Sequence, residues 1–150
     1  MRKYRLLLSN TFIFLLTCGV ENSLLAQNNS ITVTEVAEFD QPWAMTFIPD
    51  GRLLVSEKQG ALKLVDLDSG AMGDISGVPD VRSAGQGGFA DIVLHPDYAS
   101  NNLVYMSYTE SGRGGAGAAV ARATLALNGS EGELRELEVI WRQFPKVSGN

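Results

Sequence analysis

The run Trp43-Ala44-Met45-Thr46-Phe47-Ile48 passes through Pro49-Asp50-Gly51 into Arg52-Leu53-Leu54-Val55-Ser56-Glu57, and then through Lys58-Gln59-Gly60 into Ala61-Leu62-Lys63-Leu64-Val65-Asp66. Each apolar run is five or six residues long and rich in aliphatic and aromatic side chains. Proline, aspartate and glycine between them supply turn geometry: Pro presets φ, Gly accepts positive φ, and Asp hydrogen-bonds backbone two residues on. The stretch predicts three short strands joined by tight turns.

The design recurs. Phe89-Ala90-Asp91-Ile92-Val93-Leu94 leads into His95-Pro96-Asp97, and after a polar loop comes Leu103-Val104-Tyr105-Met106-Ser107-Tyr108. The two Pro-Asp turns, at Asp50 and Asp97, stand 47 positions apart. That interval is the period of a β-propeller blade, in which four strands occupy ~40–50 residues. The only window with a helix-like apolar period, Ala118 to Leu127, alternates equally well as a strand through Val120, Arg122 and Thr124. Asn128-Gly129-Ser130-Glu131-Gly132 predicts a turn, Leu137 to Gln143 another strand, and Gly112-Arg113-Gly114-Gly115-Ala116-Gly117 a flexible hairpin loop. The reading is all-β, with about two blades. Because repeat arrays bury each face against a neighbour and need about three repeats to stand alone, residues 27–150 are expected to be an incomplete domain, the N-terminal portion of a longer propeller.

Upstream lies a different composition. Arg2, Lys3 and Arg5 precede the apolar run Leu6 to Leu16, and small and polar residues continue to Ala26. This is the pattern of a secretory signal over residues 1–26, with a periplasmic or secreted destination. The run is shorter than the ~20 residues of a spanning helix and is interrupted by Ser9 and Asn10, so no stable membrane span is expected. Removal of residues 1–26 leaves 9 basic against 16 acidic side chains, a charge of −7. Such a balance, without a Lys/Arg run, argues against nucleic acid as a partner. The single cysteine, Cys18, falls inside the signal. The mature chain therefore has no thiol for a disulfide, a Cys-based zinc site or nucleophilic catalysis, and Cys18 is a site for lipidation only if Leu15-Leu16-Thr17-Cys18 serves as a lipoprotein box.

Several residues invite functional readings. Gly112-x-Gly114-x-x-Gly117, with Glu136 and Glu138 about twenty residues on, matches the dinucleotide fingerprint and suggests a Rossmann-type oxidoreductase. The preceding stretch Ser107, Thr109, Glu110, Ser111 is too polar for a strand buried on both faces, which favours a surface loop. His95 is the sole histidine and sits before a Pro-Asp turn, where it is expected to stabilise the turn; Asp50 and Asp97 are expected to cap theirs. No cluster of His and carboxylates has metal-ligand spacing. Gly85-Gln86-Gly87-Gly88 is different. Three glycines around one amide let backbone approach a ligand, and they open the expected innermost strand of the second blade, beside the central cavity of a propeller.

Taken in order, Gln41-Pro42-Trp43-Ala44-Met45-x-Phe47-x-Pro49-Asp50-Gly51-Arg52-Leu53-Leu54-Val55-x-Glu57, Gly77-Val78-Pro79-x-Val81, Gly85-Gln86-Gly87-Gly88-x-x-Asp91-x-x-Leu94-His95-Pro96-Asp97-Tyr98 and Val104-Tyr105-x-Ser107-Tyr108 resemble the soluble pyrroloquinoline quinone (PQQ)-dependent aldose dehydrogenases, the glucose/sorbosone dehydrogenase family. The resemblance runs from Phe39 to Lys146. It implies a six-bladed β-propeller in the periplasm that binds PQQ and calcium near its axis. It also implies oxidation of aldose sugars to lactones: a histidine takes the hydroxyl proton, hydride passes to PQQ, and a separate electron acceptor regenerates the quinone. Of the family's active-site residues only an early glutamine has a match, at Gln86, which is thereby expected to contact the cofactor. The family's catalytic histidine follows a segment resembling Arg142-Gln143-x-Pro145-Lys146-Val147, which places it beyond Asn150, together with the clamping arginines and calcium ligands. By itself this stretch is expected to be inactive and not to bind PQQ or calcium. The alternative from another class is a non-catalytic exported propeller that binds carbohydrate or protein, and a histidine with Gly-rich strand residues downstream of Asn150 would separate the two.

Overall fold

In a computed structural model that describes residues 31–148, every regular element but one is a strand. β1 (Pro42–Phe47), β2 (Leu53–Glu57), β3 (Ala61–Val65) and β4 (Met72–Ser76) form an antiparallel meander. A second meander follows from β5 (Phe89–Leu94), β6 (Leu103–Gly112), β7 (Gly115–Asn128) and β8 (Glu131–Arg142). These are two four-stranded blades. A short parallel pairing of Ile75 with Gly132 and Ser76 with Glu133 joins the last strand of one to the last strand of the other. At the opposite edge the two first strands, β1 and β5, are neighbours. This disposition, first strands together and last strands together, is that of adjacent blades in a propeller.

Period-two alternation decides which face of each strand is buried. In β6, Val104, Met106 and Tyr108 point inward; in β7, Ala119, Ala121, Ala123 and Leu125 do. They share one apolar core with Leu54, Leu62, Leu64 and Ile75 of the first blade and with Phe89 and Ile92 of β5. Each Leu, Ile or Phe so enclosed contributes about 1.5–3 kcal/mol, so the interface between blades is the principal stabilising feature. β2 is buried on both faces, and Leu53, Val55 and Val65 form a second, smaller cluster under Ala37 and Phe39. The blades close up at their outer strands through glycine. A Cβ on Gly73 would collide with the carbonyl oxygen of Ser130, so only the bare backbone permits the approach.

The expected strands are present, with some differences: β8 begins at Glu131 rather than Leu137, which narrows the turn expected over Asn128 to Gly132 to Gly129 and Ser130. Gly112 to Gly117 is no flexible loop: Gly112 pairs with Gly115 and Gly117 with Glu110, which leaves Arg113 and Gly114 as a two-residue turn. The strands simply run on to a tight hairpin. β4 emerges where no strand was expected, because only Ile75 of its five residues is buried and the alternation is faint. A single helical turn, α1 (Tyr98–Asn101), occupies the loop after Asp97. The signal assigned to residues 1–26, with Cys18, lies outside the described residues. Among the described residues no helix is long and apolar enough to cross a membrane.

Candidate functional site

The glycine-rich segment before β5 is a tight turn. Gly87 donates its backbone N–H to the Ala84 carbonyl at 2.8 Å, and Gly85 takes a left-handed φ of 54°. Gln86 stands at the tip with its side chain exposed. Behind it the chain is held tightly: Gly88 is buried, and a Cβ there would lie 2.6 Å from the Lys58 carbonyl oxygen. The Phe89 N–H donates to that same carbonyl at 2.9 Å, and Thr109 donates its own N–H to the Gly88 carbonyl at 2.9 Å. The turn is therefore bolted to the first blade on one side and to β6 on the other.

Lys58 completes the arrangement. Its Nζ donates to the Gly85 carbonyl at 2.7 Å and sits 5.6 Å from the centre of the Trp43 ring, within cation–π range. Trp43, at the start of β1, is half exposed. The residue before Pro42, Gln41, adopts a left-handed φ of 54°, sparsely populated for a non-glycine residue, and its carbonyl accepts the Lys58 N–H at 3.0 Å. One buried carboxylate lies beneath: Glu57 accepts the Asp40 N–H at 2.8 Å. Thus the Trp43 ring, the Lys58 ammonium and the turn that carries Gln86 come from three separate stretches to one place.

Arg82, Ala84, Gly87, Thr109, Gly117 and Gln143 border an open cleft of about 290 Å³ beside the turn. Its far wall is the segment after β8. Val147 exchanges both backbone hydrogen bonds with Ala116 at 3.0 Å, and Gln143 Oε1 accepts the Ala118 N–H at 3.0 Å. The anchor is Glu110, which accepts from Lys146 Nζ at 2.7 Å and pairs with Arg142 at 3.0 Å. Burial pushes the Glu110 carboxyl upward in pKa, but the two cations outweigh it and hold it below the usual carboxylate range.

The remaining expected residues are structural. His95 Nδ1 accepts the Asp97 N–H at 3.0 Å, and its ring stacks on Tyr105 with centroids 6.0 Å apart. Asp50 accepts the Arg52 N–H at 3.0 Å as expected for a turn cap. Asp97 does not cap through its side chain; His95 supplies the acceptor instead. The Gly112–Gly117 tract lies in an antiparallel hairpin with no helix after it, so it has no place to seat a dinucleotide pyrophosphate. Trp43, Lys58 and Glu57 were not singled out from the sequence. Only the Gln-Pro-Trp run, at an expected strand start, signals the first of them.

A family model described as Glucose / Sorbosone dehydrogenase matches residues 39–150. The chain belongs to the glucose/sorbosone dehydrogenase family. Aldose sugar dehydrogenase YliI of Escherichia coli K12 is 35% identical over 140 residues, 91% of this chain and 37% of that protein. The crystal structure of the soluble aldose sugar dehydrogenase from Escherichia coli in the apo-form superposes with a TM-score of 0.68 at 39% identity, over 74% of this chain and 32% of that one. The PQQ-bound aldose sugar dehydrogenase from Streptomyces coelicolor gives 0.66 at 29% identity, over 76% of this chain and 34% of that one. The chain thus spans about a third of the length of the family members it matches. Two blades of a β-propeller are what that third contains.

Proposed function

We propose that this chain is the N-terminal, two-blade part of an exported PQQ-dependent aldose dehydrogenase and that Gln86 contacts the cofactor. The observation that carries the reading is the placement of Gln86: an exposed amide on a rigid turn at the first strand of the second blade. An amide offers both donor and acceptor to quinone or sugar oxygens without adding a charge. Half-exposed Trp43 brings a flat apolar surface to the same end, which suits a planar group. Bound there, PQQ would supply a hydride acceptor.

The residues present fit that cofactor in part. They would hold and orient it from one side; the base that takes the sugar's proton is not assigned to any of them. Calcium fits less well. No group of three or more His, Cys, Asp or Glu side chains able to hold a metal exists among the described residues, so no step is assigned through calcium here. The two-blade stretch alone is read as inactive, with the base and the metal ligands downstream in the intact protein, and with a periplasmic or secreted destination set by residues 1–26. The test is an assay of the intact protein with an aldose and an artificial electron acceptor. Oxidation that appears only after PQQ is added supports the reading; sugar binding without oxidation, with or without PQQ, would favour a non-catalytic propeller.

A further inference from the structure

The side chain and the backbone of Lys58 both engage the Gln86 turn. Its carbonyl receives the Phe89 N–H at 2.9 Å, its Nζ donates to the Gly85 carbonyl at 2.7 Å, and its stem lies where a Cβ on Gly88 would intrude, 2.6 Å from Cγ. The ammonium is held over Trp43 at the same time, so one side chain ties the start of β1 to the turn before β5. The chain behind the tip is held at Gly88 and Phe89, and at the tip itself Lys58 Nζ bonds the Gly85 carbonyl. Gln86 is exposed, and the turn's own closing bond is the Gly87 N–H to Ala84 carbonyl contact at 2.8 Å. A two-residue tip with a left-handed glycine is free to interconvert between turn types unless something fixes its carbonyl.

We propose that Lys58 is a positioning residue: by fixing the Gly85 carbonyl from the first blade it sets the direction in which Gln86 presents its amide. The proposal deepens the reading of Gln86 as a cofactor contact and rests on it for its functional consequence. Lys58 acts through the turn, so removing its charge loosens Gln86 without removing any group of the turn itself.

The test uses Lys58→Met, which keeps an apolar stem against Gly88 but loses the donor, and Lys58→Arg, which keeps a cation over Trp43, both in the intact protein. Hydrogen exchange at the Gly87 amide should accelerate at least tenfold in Lys58→Met and stay within threefold of native in Lys58→Arg. The Met106 and Ala121 amides, in the core strands, should change less than twofold. The Kd for PQQ should rise about tenfold in Lys58→Met, and adding Lys58→Met to Gln86→Ala should weaken binding no further than Gln86→Ala alone. Native exchange at Gly87 in Lys58→Met overturns the proposal. So does equal loss of protection at Met106, which marks general unfolding, and so does an additive effect on PQQ in the double variant. Faster exchange at Gly87 with an unchanged PQQ Kd in Gln86→Ala upholds the positioning by Lys58 and rejects the cofactor role of Gln86.

Discussion

His95 Nδ1 accepts the backbone N–H of Asp97 at 3.0 Å, and the same nitrogen lies 3.0 Å from Asn101 Nδ2. With two donors directed at it, Nδ1 carries no proton, and the ring proton resides on Nε2. The only histidine of the chain thus caps a turn and orients the Asn101 side chain, whose Oδ1 accepts the Leu103 N–H at 2.9 Å where β6 begins. His95→Ala should lower the stability of the intact protein by about 1–3 kcal/mol, through two lost hydrogen bonds and the lost stacking on Tyr105. Thermal unfolding checks this, and the Kd for PQQ should remain within threefold.

Glu110 carries a pH signature. Its carboxyl is partly buried beside Lys146 and Arg142; burial raises its pKa, the two cations lower it by more, and the net shift is downward. A depressed carboxyl pKa contributes stability above the unfolded-state value, and that contribution is lost as pH falls through the folded-state value. Glu110→Gln should therefore cost about 2 kcal/mol at pH 7 and progressively less below the ordinary carboxylate range. Denaturant titrations of both proteins at pH 7 and at pH 3 measure the difference.

The fold was legible in the sequence wherever turn chemistry and burial agreed. Pro49-Asp50-Gly51 and His95-Pro96-Asp97 mark real reversals, and the runs beside them include strands such as β2, β5 and β6 that send Leu54, Ile92 and Val104 into the core between blades. β4 escaped because Met72, Asp74 and Ser76 face solvent and a single buried Ile75 makes no pattern. The hairpin at Arg113-Gly114 was blurred by glycines that serve packing: Gly112 makes room for the Lys146 stem, and Gly115 for the Val147 backbone. The site was legible only in part. Gln86 stood out through its three glycines, whereas Lys58 reads as an ordinary turn residue until the second blade folds back onto it across 27 positions of sequence.

The outer faces of the two blades predict how residues 27–150 behave when severed from any further chain. On β1, Met45 is 67% and Phe47 58% exposed, and on β8 Ile140 and Trp141 are about half exposed. Leaving such side chains wet forfeits roughly 1.5–3 kcal/mol each, against a net domain stability of about 5–15 kcal/mol. This stretch alone should therefore show no sharp two-state transition as a monomer, and sedimentation should reveal association. A cooperative melt from a monomeric sample would contradict the prediction.

Export is checked at the N-terminus. The basic start, the apolar Leu6 to Leu16 run and Ala26 predict a mature chain beginning at or near Gln27. Mass spectrometry of the protein from the extracytoplasmic fraction should find that terminus; a soluble product that retains Met1 would refute the signal, and a lipid on Cys18 would replace it with an anchor.

Whether Gln86 touches the cofactor is decided by Gln86→Ala in the PQQ-reconstituted intact protein. Gln86 is exposed, and the bonds that hold its turn come from Ala84, Gly85, Gly87 and Gly88, so the substitution leaves the fold in place. With Gln86 on the cofactor, kcat/KM for aldose oxidation should fall more than tenfold, about 1.4 kcal/mol or more of transition-state stabilisation, with the melting temperature unchanged within error. Native kcat/KM in Gln86→Ala would contradict it and leave the glycine cluster a structural turn.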